Sequence, residues 1–284
     1  MKQLIAFVFL CMALPCFGSR TVIDELGRSV VVPDHPHRLI CLLPSVVDDV
    51  YALGAGADVV AVSDYTKYPD EARRKPSIGL PLSPSMETIV SLHPDLVLGS
   101  ADMNESSTML QLKRLGVPVF MVDAHGIEGI YRSLASLGRA LDREKAAQEL
   151  VLHLRQREEA IRKRVQGKQV VRILMPVWYD PIVTIGKNAY ITELIELAGG
   201  HSVTSDIAQE WPQVSLEAVL ARNPDALLLV RGSKMSVDQI QSRPGWTNLA
   251  AVRNHRIYYV SDQIEYPSPI AFDALEELAK TFHP

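Results

Sequence analysis

One pattern occurs twice in this chain. Residues 85–100 and 215–230 align at an offset of 130, with Ser85/Ser215, Glu87/Glu217, Pro94/Pro224 and Asp95/Asp225 in register. Each copy has the same physical sense. A serine suited to capping a helix N-terminus opens a short amphipathic stretch, Pro-Asp ends it, and a run of apolar residues suits a buried strand. A helix–strand unit repeated this far apart constrains the chain to two similar lobes with a cleft between them. It also places one glutamate in the first turn of an equivalent helix on each lobe.

The segments around the two copies complete the picture. Residues 21–32 hold two β-prone runs about Leu26-Gly27-Arg28, which suits a hairpin. Strand 39–43, a helix capped by Ser45, strand 59–63, the Ser85 helix, strand 95–99, helix 104–115 and strand 117–122 then alternate. This alternation predicts a parallel sheet covered by helices. Residues 127–141 read as one helix and 144–166 as a second, charged over much of its surface and about 35 Å long. Beyond it the alternation restarts, with strand 171–177, helix 190–197, the Ser215 helix, strand 226–230, helix 237–240 and strand 256–260. Ser268-Pro269 opens a last helix. Leu53-Gly54-Ala55-Gly56 ends a helix in the first half and Leu197-Ala198-Gly199-Gly200 one in the second, a second echo between the halves. The expected class is α/β, with two lobes built on parallel sheets and joined by one long rigid helix. The boundaries read as 1–18 export signal, 19–141 first lobe, 142–167 connecting helix and 168–284 second lobe.

The leader combines Lys2, an apolar run from Leu4 to Leu14, and the small-residue exit at Gly18. That run is too short to span a bilayer, so it reads as a cleavable signal peptide and places the protein in the periplasm or otherwise outside the cytoplasmic membrane. Pro15 before Cys16 departs from the small residue that precedes a lipidated cysteine, which makes a lipid anchor at Cys16 the lesser reading. After cleavage Cys41 is the one remaining cysteine, and in an apolar strand it reads as an inert core residue. A net charge of −4 without a basic patch gives no basis for nucleic-acid binding.

A family resemblance rests on Val30 to Pro33, Pro36 to Leu43, Leu53-Gly54-Ala55-Gly56, Tyr65, Tyr68-Pro69 and Glu87…Pro94-Asp95. With these residues the chain resembles the extracytoplasmic binding proteins of ABC importers for cobalamin, haem and ferric siderophores. Trp211-Pro212-Gln213-Val214-Ser215 is most similar to the vitamin B12-binding subgroup. The resemblance implies a class III periplasmic binding protein fold, an ABC permease dimer with its cytoplasmic ATPase as partner, and docking through Glu87 and Glu217. It also implies a ligand, cobalamin or a related corrinoid, held between the lobes by a monomer with no cofactor of its own.

A large, mostly apolar macrocycle calls for aromatic walls and a few hydrogen-bonding groups. The resemblance puts Trp211 and Tyr65 on the ligand, and Ser45 lies where the amides of a helix N-terminus face the cleft. Trp178 and Tyr179 follow the first strand of the second lobe, at the edge where open parallel sheets bind ligands; Tyr266 is a further candidate. The loop Gly79-Leu80-Pro81-Leu82-Ser83-Pro84 lacks the tryptophan that the B12 subgroup often offers there. Haem is the nearest alternative ligand, with Tyr65, Tyr68 or Tyr179 as its axial residue. A ferric siderophore would draw on the scattered cations Lys67, Lys187 and Arg231. A bare-metal receptor would need converging histidines, and His35-Pro36-His37 is the closest pair in the sequence. No nucleophile elbow, P-loop or metalloprotease helix points to an enzyme. A sensor domain that presents its ligand to a membrane kinase is the remaining alternative.

Overall fold

The computed structural model describes residues 18–101, 106–233 and 236–284. Most of the export-signal segment, residues 1–17, lies outside that range, as does the start of the expected 104–115 helix. Among the described residues no helix is long and apolar enough to cross a membrane.

The first half runs β1 (Ser19–Ile23), β2 (Ser29–Pro33), β3 (Leu39–Cys41), α1 (Pro44–Ala52), β4 (Val59–Val62), β5 (Gly79–Leu80), β6 (Ser83–Pro84), α2 (Met86–Ser91), β7 (Leu96–Ser100), α3 (Ser106–Arg114), β8 (Val119–Val122) and α4 (Gly126–Leu141). Helix α5 (Glu144–Val165) leads to the second half. That half runs β9 (Val171–Leu174), β10 (Pro176–Tyr179), β11 (Ile182–Thr184), α6 (Tyr190–Leu197), β12 (Gly200–Ser202), β13 (Gln213–Val214), α7 (Leu216–Arg222), β14 (Ala226–Val230), α8 (Val237–Gln241), α9 (Ala250–Arg253), β15 (Ile257–Val260) and α10 (Ala271–Phe282).

The repeat in the sequence is a repeat in space. One parallel sheet has the order β4-β3-β7-β8 and the other β12-β9-β14-β15, the same topology twice. The doubled segment supplies α2 and β7 in one lobe and α7 and β14 in the other. Ser85 Oγ accepts the Thr88 N–H at 3.2 Å, and Ser215 Oγ accepts the Ala218 N–H at 3.2 Å. Ile89 and Val219 are the fully buried residues of the two helices. His93 and Asn223 adopt left-handed backbone conformations (φ 47° and 43°) at equivalent positions just before Pro94 and Pro224.

The aspartates of the repeat explain why Pro-Asp recurs. Asp95 accepts the backbone N–H groups of His37 (2.8 Å) and Arg38 (3.1 Å), and Asp225 accepts that of Arg172 (3.0 Å). Each aspartate so pins the start of the neighbouring central strand. The arginine at that start returns to the helix end, Arg38 to the Leu92 carbonyl and Arg172 to the Arg222 carbonyl, both at 2.6 Å. Replacing Asp95 with Ala is expected to cost about 1–2 kcal/mol in urea unfolding. Asp225→Ala, with one such bond to lose instead of two, should cost less.

Helix α5 does not join the lobes alone. It buries Ala147, Leu154 and Ile161, one residue every second turn, and exposes most of its charged surface. Arg155 pairs with Glu128 of α4, while Arg157 reaches Asp273 and Glu276 of α10. Beneath it one continuous apolar core runs from the first sheet through Ile130 and Leu134 of α4, Leu194 of α6 and Phe272 and Leu275 of α10 into the second sheet. Glu193 of α6 accepts the Ile127 N–H at the start of α4 (2.9 Å), and Asp48 of α1 accepts the Ile270 N–H ahead of α10 (3.0 Å). Shared core and cross-lobe bonds hold the two sheets at a fixed separation.

Two helix starts differ from the sequence reading. Ser45 does not cap α1: Leu43 is the N-cap residue and Pro44 takes the first helical position. Proline has no N–H to satisfy there and its fixed φ suits the helix. Helix α10 begins at Ala271, because 268–270 form a turn in which the Ala271 N–H meets the Ser268 carbonyl. Cys41 lies buried in β3, and burial pushes its thiol well above the usual range, as expected of an inert core cysteine.

Candidate functional site

The carboxyl ends of the two sheets face each other. Lys67, just after β4, places its ammonium 2.6 Å from Asp262, just after β15, and the Tyr68 hydroxyl donates to the same carboxylate at 2.8 Å. Tyr68 also meets Tyr266 edge-on, with ring centroids 5.9 Å apart. This clasp closes one side of the gap between the lobes. Burial pushes the Asp262 carboxyl up, but the bonds from Lys67 and Tyr68 outweigh it and hold it below the usual carboxylate range.

The clasp is therefore acid-labile. A depressed folded-state value means that its stabilisation is present above the unfolded carboxylate pKa and is lost as pH falls from about 4 through the folded value. With Lys67 largely exposed, the contribution is about 1 kcal/mol or less. The thermal midpoint of Asp262→Asn should lie below that of the unmodified protein at pH 7, and the difference should shrink as the pH falls below the ordinary carboxylate range. A difference that persisted into acid would mean that the ion pair is not its source.

Three large aromatic side chains stand open at the sheet ends. Tyr65 is 69 % exposed, Trp178 49 % and Trp211 45 %. Tyr65 sits in the turn after β4 with φ 67°, a left-handed conformation that costs a tyrosine about 1–2 kcal/mol, and its ring gains little packing in return. Trp178 belongs to a three-stranded antiparallel sheet, β10-β11-β13, and Trp211 lies in the bend just before β13. In its ladder Trp178, Val183 and Gln213 form one row. Thr184 donates to the Pro212 carbonyl, which continues the pairing toward Trp211.

The loop before Trp211 is locked by close approach. Gly186 donates to the Glu210 carbonyl, and a Cβ at Gly186 would lie 1.9 Å from the Gln209 carbonyl oxygen, so glycine alone fits. Trp178 is fixed by its indole N–H, which donates to the Asp180 carbonyl (2.9 Å), and by parallel stacking on Tyr179.

The other expected contact residues are placed differently. Ser45 is half-buried in the first turn of α1, at the carboxyl end of β3. Tyr266 is half-buried against Tyr68 as part of the clasp, and burial with the nearby Asp262 and Glu265 pushes its hydroxyl up to about 12. Tyr179 is sandwiched between Trp178 and the Arg243 guanidinium. The sequence reading missed Leu80 and Leu82, 45 % and 57 % exposed at the tip of the β5–β6 hairpin. The offset of 130 makes Pro81, between them, the equivalent of Trp211 in the repeat (211 − 130 = 81).

The cations considered for an anionic ligand are mostly engaged elsewhere. Lys67 is held by Asp262, and Arg231 by Glu277 at 2.5 Å; Lys187 remains exposed. His35 turns to Asp142 and His37 to Asp58, so their rings diverge. Among the described residues no three histidine, cysteine or acidic side chains converge as metal ligands.

Glu87 and Glu217 are exposed in the first turns of α2 and α7, and among the described residues neither joins an ion pair. A bond from its own backbone N–H and one from Ser215 hold Glu217 below the usual carboxylate range. The two carboxylates stand one on each lobe.

A family profile described as a periplasmic binding protein matches residues 39–264. The chain is 30 % identical over 272 residues to the uncharacterised ABC transporter substrate-binding lipoprotein YvrC of Bacillus subtilis, covering 93 % of this chain and 85 % of that one. It is 29 % identical over 276 residues to the vitamin B12-binding protein of Vibrio parahaemolyticus, covering 96 % of each. Its structure is similar to that of the periplasmic haem-binding protein RhuT of Roseiflexus in apo form, with a TM-score of 0.80, 26 % identity and coverage of 87 % and 98 %.

Proposed function

The chain belongs to the periplasmic binding protein family, the non-catalytic binding components of importers, and we propose that its ligand is cobalamin or a related corrinoid, taken up between the lobes outside the cytoplasmic membrane. The observation that carries this reading is the composition of the cleft rim. Three aromatic rings stand exposed near the sheet ends while two of the three candidate cations are already neutralised within the protein. Such a surface suits a broad, largely apolar macrocycle and offers little to an anionic ferric siderophore. The similarity to a vitamin B12-binding protein over nearly the full length of both chains supports the same choice.

Haem is the second reading, favoured by Tyr65 and by the similarity to a haem-binding protein. An iron-bound tyrosine gives up its proton. Burial and the Asp262 carboxylate raise the Tyr68 hydroxyl above its ordinary value, which opposes that role. Tyr179 has its ring covered on both sides. Tyr65 is the phenol left open to a ligand.

Glu87 and Glu217 complete the proposal as the groups that dock on an ABC permease dimer. Two carboxylates on equivalent helices match a two-fold partner that offers arginines at equivalent positions.

Incubating the protein with cyanocobalamin or with haemin, followed by desalting, decides between the ligands. The visible spectrum should retain the corrinoid bands. Retention of haemin alone, with a Soret band lost in Tyr65→Phe, overturns the corrinoid assignment.

A further inference from the structure

The aromatic surface of the second lobe has a backing that the ligand reading does not require. Arg243, in the turn after α8, places its guanidinium 3.5 Å from the centroid of the Tyr179 ring. Tyr179 stacks in turn on Trp178, with the ring planes 2° apart and the centroids at 5.7 Å. Adjacent residues of a regular strand point to opposite faces of the sheet. A register shift between Pro176 and Trp178 distorts β10 at the edge of its sheet and accompanies this parallel arrangement. The outcome is a three-layer stack, with a cation behind, a phenol in the middle and an indole in front.

The cation is unusual in its company. Among the described residues no carboxylate pairs with Arg243 and no hydrogen bond from its guanidinium is found. Its interaction is with the ring face, where a guanidinium over an aromatic is worth most when partly desolvated. Tyr179 rests on the smaller core of the second lobe, beside Val214 and Leu216. Arg243 therefore presses the phenol from outside while that core supports its edge.

We propose that Arg243 is a positioning residue for the ligand surface: through Tyr179 it fixes the plane of Trp178 before any ligand arrives. The inference deepens the proposed function and rests on Trp178 being a ligand-contacting residue. A side chain half open to solvent samples several rotamers unless something holds it, and binding then has to order it. The stack and the Trp178 N–H bond to the Asp180 carbonyl remove that freedom in advance. The cation at the back also draws electron density from the stack, so the open indole face suits a flat, uncharged or electron-rich ligand surface better than a cationic one.

The chain has three tryptophans, so 5-fluorotryptophan labelling gives three 19F resonances that Trp→Phe variants assign. In the ligand-free protein Arg243→Met should shift and broaden the Trp178 resonance while that of Trp211 stays in place. Arg243→Lys, which keeps a cation, should restore most of the original line. Tyr179→Leu removes the middle layer and should release Trp178 in the same way. Affinity for cyanocobalamin should fall about three- to tenfold in Arg243→Met and recover in Arg243→Lys. An unmoved Trp178 resonance in both Arg243→Met and Tyr179→Leu overturns the proposal. So does a released Trp178 with unchanged affinity. If the unmodified protein binds no cyanocobalamin, the corrinoid reading fails, and the ligand-free resonance alone decides whether Arg243 holds the stack.

Discussion

Changing Glu87 and Glu217 together to arginine should stop delivery to the permease while leaving ligand affinity unchanged. The two carboxylates stand exposed and without an ion-pair partner among the described residues, at the starts of α2 and α7, one on each lobe. Charge pairs at an interface set orientation and association rate as well as affinity, and reversing both carboxylates sets like charges against each other. Docking to permease in proteoliposomes should weaken by about tenfold or more, and each single variant should retain part of it. High salt should weaken docking of the unmodified protein in the same direction. A double variant that lost its ligand but still docked would reverse the roles assigned to the two sets of residues.

Trp211→Ala should weaken cyanocobalamin binding by about 1–3 kcal/mol, the range for a large aromatic surface that a ligand covers. Trp211 is 45 % exposed, and its loop is locked onto Gly186, so removing the ring leaves its surroundings in place. The loss should therefore appear in affinity and not in thermal stability. The double variant with Trp178→Ala closes a cycle that reads whether the two rings act on the ligand independently or together. Equilibrium dialysis of the two single variants and the double variant measures both points. Unchanged affinity in Trp211→Ala removes that residue from the site.

The residues that made the architecture legible are those of the repeat. Ser85 and Ser215 cap as expected, His93 and Asn223 take left-handed conformations at equivalent positions before Pro94 and Pro224, and Gly54 and Gly199 take positive φ after α1 and α6. Patterns of this kind are local, so the sequence carries them. The three-stranded sheet that holds Trp178, with Trp211 just before its β13, was not legible. Its strands hold four, three and two residues, too few for alternation to stand out. The clasp was hidden for a different reason. Lys67 and Asp262 are 195 positions apart, and only the facing of the two sheets brings them together. Lys67 read as a free cation in the sequence and is a bound one in the fold, which removes a reason to expect an anionic ligand.

Site residues followed the same division. Tyr65, Trp178 and Trp211 stand exposed. Tyr266 and Tyr179 carry the same chemistry but spend it on neighbours, one in the clasp and the other in the Arg243 stack. Nothing local in the sequence separates an aromatic that meets a ligand from one that supports it.

Calorimetric titration of the protein with cyanocobalamin tests the central claim most directly. The account predicts saturable binding of one corrinoid per chain, with a negative heat-capacity change from covering the aromatic rim. An absence of heat with cyanocobalamin, alongside one-to-one binding of haemin or of a ferric siderophore, would contradict it.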